Sequence, residues 1–205
     1  MGSVVSVSLT AAGTADRESD VLTWREDIRF SGRQALALGI LAEVMNAWLG
    51  PYEVLSAFTA VPFPRKKDER CRERPVRVPQ VVTVAGRLES GALVTEHHSG
   101  VVADKESPAT ELTVWGTNGT LRYDFERREL AWAPGGGGFS LLEVPEDMRN
   151  PWRVEADFIE AVRSARRGEP FRVSPDFEEG LLYMRKVEAV YVSAQTGRAV
   201  FPDRL

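Results

Sequence analysis

Between residues 4 and 10 apolar Val5, Val7 and Leu9 alternate with polar Ser6, Ser8 and Thr10, the period of a strand with one buried face. A polar loop follows to about Asp20. From Ser31 the pattern becomes SGRQALALGILAEVMNAWLGP, which predicts a helix over residues 33–49 with Ser31 as N-cap and Gly50-Pro51 as the stop. Its Leu36, Ile40, Val44 and Ala47 make one apolar stripe, and Leu38, Leu41, Met45 and Trp48 another. A helix apolar on nearly every side is either a core element or is docked on a partner.

Residues 54–61 read as a second strand, and 80–88 with 92–102 as a hairpin turning at Glu89-Ser90-Gly91. Residues 111–116 and 120–125 flank Thr117-Asn118-Gly119, a strong hairpin signal. Residues 129–133 and 139–144 flank the glycine run 135–138, which no helix follows, so it reads as a hairpin tip rather than a phosphate cradle. Two helices close the pattern: 151–167, with Trp152, Phe158, Ile159 and Val162 on one side, Pro151 at its first turn and Gly168 at its end; and 177–196, opened by Ser174-Pro175-Asp176 and stopped by Gly197. The longer one carries Leu181, Met184, Val187, Val190 and Tyr191 as a stripe, and residues 198–201 make a last short strand. Successive hairpins with segregated helices predict a single α+β domain over residues 1–205: an open, mostly antiparallel sheet with helices on one face and the other face free for solvent or a partner.

Composition narrows the chemistry. The 205 residues carry 26 Lys plus Arg against 30 Asp plus Glu, a net charge of −4 that gives no general field for nucleic acid or an anionic membrane. One cysteine, Cys71, excludes an internal disulfide framework, and two histidines, His97 and His98, are too few for a Cys/His zinc cage; the expectation is a metal-free, cytoplasmic protein. Adjacent strand residues face opposite ways, so at most one of the two imidazoles lines any one surface. The stretch RKKDERCRER at 65–74 holds six basic and three acidic residues and no aromatic; its interleaved acids predict a solvated, mobile loop rather than a phosphate or nucleic-acid patch.

Three segments in order, WREDIRFSGRQALALGI (24–40), TVWGTNGTLRYD (113–124) and WRVEADFIEAVRSARRGEPFRVSPDFEEGLLYMRKVEAVYVSAQTGR (152–198), resemble the C-terminal domain of the glucose-fructose oxidoreductase, inositol dehydrogenase and rhizopine-catabolism (Gfo/Idh/MocA) family. The resemblance implies an open sheet that packs on another subunit and a domain that binds much of a polyol substrate. It also implies an N-terminal Rossmann domain that holds NAD(P) and brings a Glu-Lys-Pro lysine. Neither the Rossmann fingerprint nor Glu-Lys-Pro occurs in this chain, so no cofactor is expected unless a partner subunit supplies NAD(P).

The family's helix motif, Asp-x-Gly-x-His-x-x-Asp, falls on residues 37–44. Gly39 matches, but Leu41 stands at the His position and Val44 at the Asp position, and neither side chain moves a proton or accepts a hydrogen bond. Glu43 points away from that direction. No catalytic residue is assigned; the substrate-binding candidates are Trp24, Arg25, Leu41, Val44 and His98. Arg25, in the family's Trp-Arg segment, suits a hydroxyl or carboxylate, or else a surface pair with Glu26 or Asp27. Three roles follow: a substrate-binding and oligomerisation module, homodimeric through its sheet or paired with a Rossmann-domain protein; a cofactor-free lyase, isomerase or cyclase acting on a partly apolar small molecule; or a truncated or split gene product that keeps the fold without activity.

Overall fold

The computed structural model of the chain describes residues 1–33, 35–104, 110–149 and 153–205. In chain order the elements are β1 (Val4–Ala12), the single turns α1 (Ala15–Glu18) and α2 (Ile28–Ser31), α3 (Leu38–Leu49), β2 (Tyr52–Ala60), the short β3 (Arg65–Lys67) and β4 (Glu73–Pro75), β5 (Val81–Leu88), β6 (Leu93–Ser99), β7 (Thr110–Gly116), β8 (Gly119–Asp124), β9 (Glu129–Pro134), β10 (Ser140–Leu142), α4 (Val154–Arg167) and α5 (Phe177–Thr196). Eight strands form one sheet in the order β10-β9-β8-β7-β1-β6-β5-β2. Every neighbouring pair is antiparallel except β1 with β6. The fold is α+β, as the hairpin pattern implies.

The period of two decides what each face does. On β1, β5 and β6 the residues Val7, Leu9, Val82, Val84 and Val94 turn inward, under α3 and α5, and join Leu38, Leu41, Met45, Leu55, Val187 and Val190 in the core. The opposite face carries Thr83 and Arg87 on β5, Thr95 and His97 on β6, and the exposed apolar side chains of Phe58 and Leu93. As strand alternation requires, His97 is exposed and His98 is buried.

Four expectations are corrected. The helix begins at Leu38, not 33, because Gly32 and Leu36 both adopt positive φ and interrupt the helical run; Ser31 ends α2 instead of capping α3. Nor is α3 buried all round: Leu38, Leu41, Ala42 and Met45 face the core, while Ile40, Ala47 and Trp48 face outward. Residues 65–74 fold as the β3–β4 hairpin rather than a solvated loop, tied to residues 20–22 by Lys67 N to Asp20 O and Leu22 N to Lys67 O, both 2.8 Å. Residues 198–201 contribute a single bridge, Val200 to Leu55, not a strand.

The Asn-Gly hairpin forms, but its glycine serves packing. Gly119 lacks positive φ, and a Cβ there would lie 2.3 Å from the Trp132 ring. In α4 only Ala161 is buried, while the expected first turn, with Pro151 and Trp152, lies outside the described residues. α5 starts at Phe177, with Asp176 and Glu179 in a reciprocal capping box, and stops at Gly197 in the left-handed conformation. No helix among the described residues is long and apolar enough to cross a membrane.

Candidate functional site

Polar groups converge at two places inside the fold. The first hangs on Glu96, which β6 points into the core. Its Oε1 accepts from the Tyr52 hydroxyl of β2 and from Lys186 Nζ of α5, each at 2.6 Å, and its Oε2 accepts from His98 Nε2 at 3.0 Å. A carboxylate has no proton to give, so the imidazole carries its proton on Nε2. His98 Nδ1 is buried without a partner among the described residues. Burial alone would raise the Glu96 carboxyl, but the Lys186 charge and the His98 hydrogen bond outweigh it and hold the group at about 2. Burial, reinforced by the Glu96 charge, pushes the Tyr52 hydroxyl well above its usual range.

Gly86 makes this arrangement possible. It pairs with Leu55, just past the register shift between Tyr52 and Val54, and a Cβ there would sit 2.5 Å from Val54 O and 2.8 Å from the Tyr52 ring. Beside Tyr52 and Lys186 lies a cleft of about 50 Å³, bounded by Asn46, Pro51, Glu89 and Arg185, with room for water but not for a sugar.

The second convergence lies where β1 and β6 end and β5 begins. Glu26 is buried with Lys66, whose Nζ lies 2.6 Å from its Oε1; its Oε2 accepts from both the backbone N and the hydroxyl of Thr23 at 3.1 Å. The Lys66 contact is one of charge rather than a directed hydrogen bond. Gln80 bridges outward, accepting from Phe63 N at 2.9 Å. Asp16 completes the group against Gly100, where a Cβ would meet both its Oδ2 and the Leu36 side chain. Burial pushes the Asp16 carboxyl up to about 6, the Glu26 charge adds to that rise and Lys66 opposes it. Such a carboxyl gives or takes a proton near neutral pH.

The five sequence candidates do not converge. Trp24 is 58% exposed and Arg25 stacks on its ring at 4.4 Å, while the acids considered for Arg25 are engaged elsewhere, Glu26 by Lys66 and Asp27 by Arg29. Leu41 is 5% exposed in the core, Val44 is half-buried, and His98 is a fully buried member of the Glu96 network. Of the five, only Trp24 lines a groove formed by the described residues, the one it shares with Phe30 and Arg70. Lys186 and Lys66 carry no local sequence signal, because their acidic partners Glu96 and Glu26 stand tens of residues away along the chain, whereas Glu96 and His98, two apart on β6, share a face by strand alternation. Among the described residues no three His, Cys, Asp or Glu side chains are placed to hold a metal ion. The glycine run 135–138 joins β9 to β10, so no helix N-terminus backs it as a dinucleotide cradle requires.

Solved structures share this architecture. Levoglucosan dehydrogenase in its apo form superposes with a TM-score of 0.79 at 20% identity, over 98% of this chain and 59% of that one. An NAD binding oxidoreductase from Klebsiella pneumoniae gives 0.79 at 21% identity over the same shares. A super-repressor mutant of Gal80p from Saccharomyces cerevisiae gives 0.70 at 14%, over 99% of this chain and 59% of that one. The chain has the fold of the Gfo/Idh/MocA-type oxidoreductases. It spans about three fifths of the length of these relatives. No family model and no curated protein matches the chain. Of the segment from Trp24 to Ile40 that carries the resemblance, Glu26 belongs to the group with Lys66 and Asp16, and Leu38 to Ile40 open α3.

Proposed function

We propose that the chain is a substrate-binding and oligomerisation module of Gfo/Idh/MocA type, acting with a separate Rossmann-domain subunit that supplies NAD(P) where the cofactor is used. The observation that carries this reading is the apolar surface that α3, α4 and α5 leave bare. Ile40 and Trp48 of α3, Phe158 and Ile159 of α4, and Leu181 and Phe177 of α5, the last 98% exposed, present apolar surface to solvent. Apolar exposure on that scale marks an interaction surface in a soluble protein. About two fifths of the levoglucosan dehydrogenase chain and of the Klebsiella chain lies outside the part that this fold matches. The substrate class under this reading is a sugar or related polyol, in keeping with the levoglucosan and L-sorbose complexes of the dehydrogenase. The free sheet face, with Phe58 and Leu93, serves a homodimer.

Co-expression with a Rossmann-domain protein, followed by affinity capture and size-exclusion chromatography, tests the pairing: a stable complex is expected, and exclusive elution of the chain alone refutes it. Calorimetry with NADH on the chain alone is expected to give no binding, and micromolar affinity overturns the assignment.

One feature supports the cofactor-free reading. A groove of about 670 Å³ between the end of α3 and strands β7–β9, lined by Trp48, Leu112, Leu121, Tyr123, Leu130 and Met148, has the size and polarity to hold an apolar small molecule. A thermal-shift screen of hydrophobic small molecules discriminates: stabilisation lost in a Leu121→Arg variant favours this reading, and silence removes it.

A further inference from the structure

The arginine-rich stretch 65–74 has no aromatic residue of its own, yet the fold gives it two. The backbone bonds linking residues 20–22 to Lys67 bring the following segment, with Trp24 and Phe30, alongside the β3–β4 hairpin. Buried Lys66, held by Glu26, anchors the hairpin from beneath. The result is a groove of about 560 Å³ lined by Arg29, Arg70, Arg72 and Arg74 with the exposed rings of Trp24 and Phe30 (70% exposed), each with one face under an arginine, Arg25 at 4.4 Å and Arg29 at 5.7 Å, and the other face available for stacking. Arg77 extends it into an adjoining groove that shares Arg29 and Arg74.

The carboxylates in the groove orient the guanidiniums without neutralising them all. Asp68 Oδ2 accepts from Arg72 Nε and Arg74 Nε, each at 3.0 Å, and Asp68 Oδ1 accepts from the backbone N of Arg70 and of Arg72. Asp27 takes Nε and Nη2 of Arg29. Nη1 of Arg29 and of Arg72, both Nη atoms of Arg74 and the whole Arg70 guanidinium remain without a hydrogen-bond partner among the described residues. The groove holds Arg29, Arg70, Arg72 and Arg74 against Asp27, Asp68 and Glu69, an excess of one positive charge, and Arg77 of the adjoining groove raises the excess to two. Two free charges presented as planar forks match a dianionic oxyanion, and flanking aromatic faces match a planar ring attached to it.

We propose that this groove is a binding site for a nucleoside phosphate, with the phosphate on the Arg70–Arg74 side and the base against Trp24 or Phe30. The site is distinct from the helical face assigned above to a partner subunit, and it stands whether or not that pairing does. A chain of net charge −4 has no broad basic surface, which favours one nucleotide in a local groove over a polynucleotide track.

Calorimetric titration of the full chain with ADP, pyrophosphate and adenosine tests the site. ADP is expected to bind more tightly than pyrophosphate, and adenosine not measurably, with the ADP affinity falling as NaCl rises. Arg70→Gln and Arg77→Gln, both at exposed positions, are expected to weaken ADP about tenfold each with unchanged circular dichroism and Tm. Trp24→Ala together with Phe30→Ala is expected to erase the preference for ADP over pyrophosphate. The proposal is overturned by no heat at millimolar ADP, by equal binding of ADP and pyrophosphate in the unmodified chain, or by ADP affinity unchanged in both arginine variants. Displacement of ADP by an oligoadenylate strand that binds more tightly and occupies several nucleotides also overturns it, in favour of a single-strand site.

Discussion

Lys186 of α5 and Glu96 of β6 meet inside the core at 2.6 Å, with both side chains shielded from water. The pair fixes helix to sheet, and it is an expensive object to break. Removing one partner leaves a buried charge unmatched, so Lys186→Met is expected to destabilise the chain by about 3–5 kcal/mol in chemical denaturation. The double change Lys186→Met with Glu96→Gln is expected to recover part of that loss. Because Glu96 titrates in the folded chain at about 2, below its ordinary 4.5, its contribution is fully present above pH 4.5 and is lost as pH falls towards 2. Acid unfolding of the unmodified chain followed by circular dichroism is expected to show this loss, and the double variant to show less of it.

Asp16 has the opposite sign. Its folded-state pKa is raised from 3.8 to about 6, so its stabilising contribution is complete below pH 3.8 and is lost as pH rises through 6. Asp16→Asn is therefore expected to gain stability relative to the unmodified chain between pH 4 and pH 7. The side chain is only partly buried, so solvent screens the charge and the gain is about 1 kcal/mol at most. Melting temperatures of the two proteins across that range check it, and parallel curves refute it.

Gly86 is tied to Tyr52 by space. A Cβ at Gly86 would press on Val54 O and on the Tyr52 ring, and the first of these is backbone that cannot swing away. Gly86→Ala is expected to cost about 1–3 kcal/mol through overpacking and to move Tyr52 away from Glu96. The displacement is read from tyrosine absorbance: the Tyr52 hydroxyl, held far above its normal range by burial and Glu96, begins to titrate at lower pH in the variant.

How much of this was readable beforehand depends on the range of the interaction. The alternation around Val7 and Leu9, the glycine turn at Gly91 and the Asp176–Glu179 cap are local, and the elements they imply are present. The start of α3 was misplaced because the positive φ of Leu36 reflects its packing near Asp16 and Gly100, not its own propensity. Residues 65–74 looked like a loop because composition cannot show that Lys66 turns inward to meet Glu26, forty positions earlier, or that Trp24 and Phe30 lie alongside. The inward direction of His98 followed from parity once one neighbour was assigned a face. Glu96 shares that parity, two positions before His98 on β6, but the arrival of Lys186 beside them did not follow, because it lies ninety residues along the chain from Glu96.

The positions that depart from the family motif respond differently to restoration. Leu41 packs against the core at 5% exposure, whereas Val44 lies partly in solvent on the same helix. Leu41→His replaces a buried aliphatic side chain with an imidazole that must bury at least one unpaired nitrogen, an expected loss of about 2–4 kcal/mol. Val44→Asp exposes its carboxylate to water at mid-helix and is expected to cost under about 1 kcal/mol. Equilibrium urea denaturation of both variants measures the contrast. If Leu41→His were as stable as the unmodified chain, the position would already have the polar partner and the space of a proton-transfer site, and the reading of Leu41 as a core residue would fail.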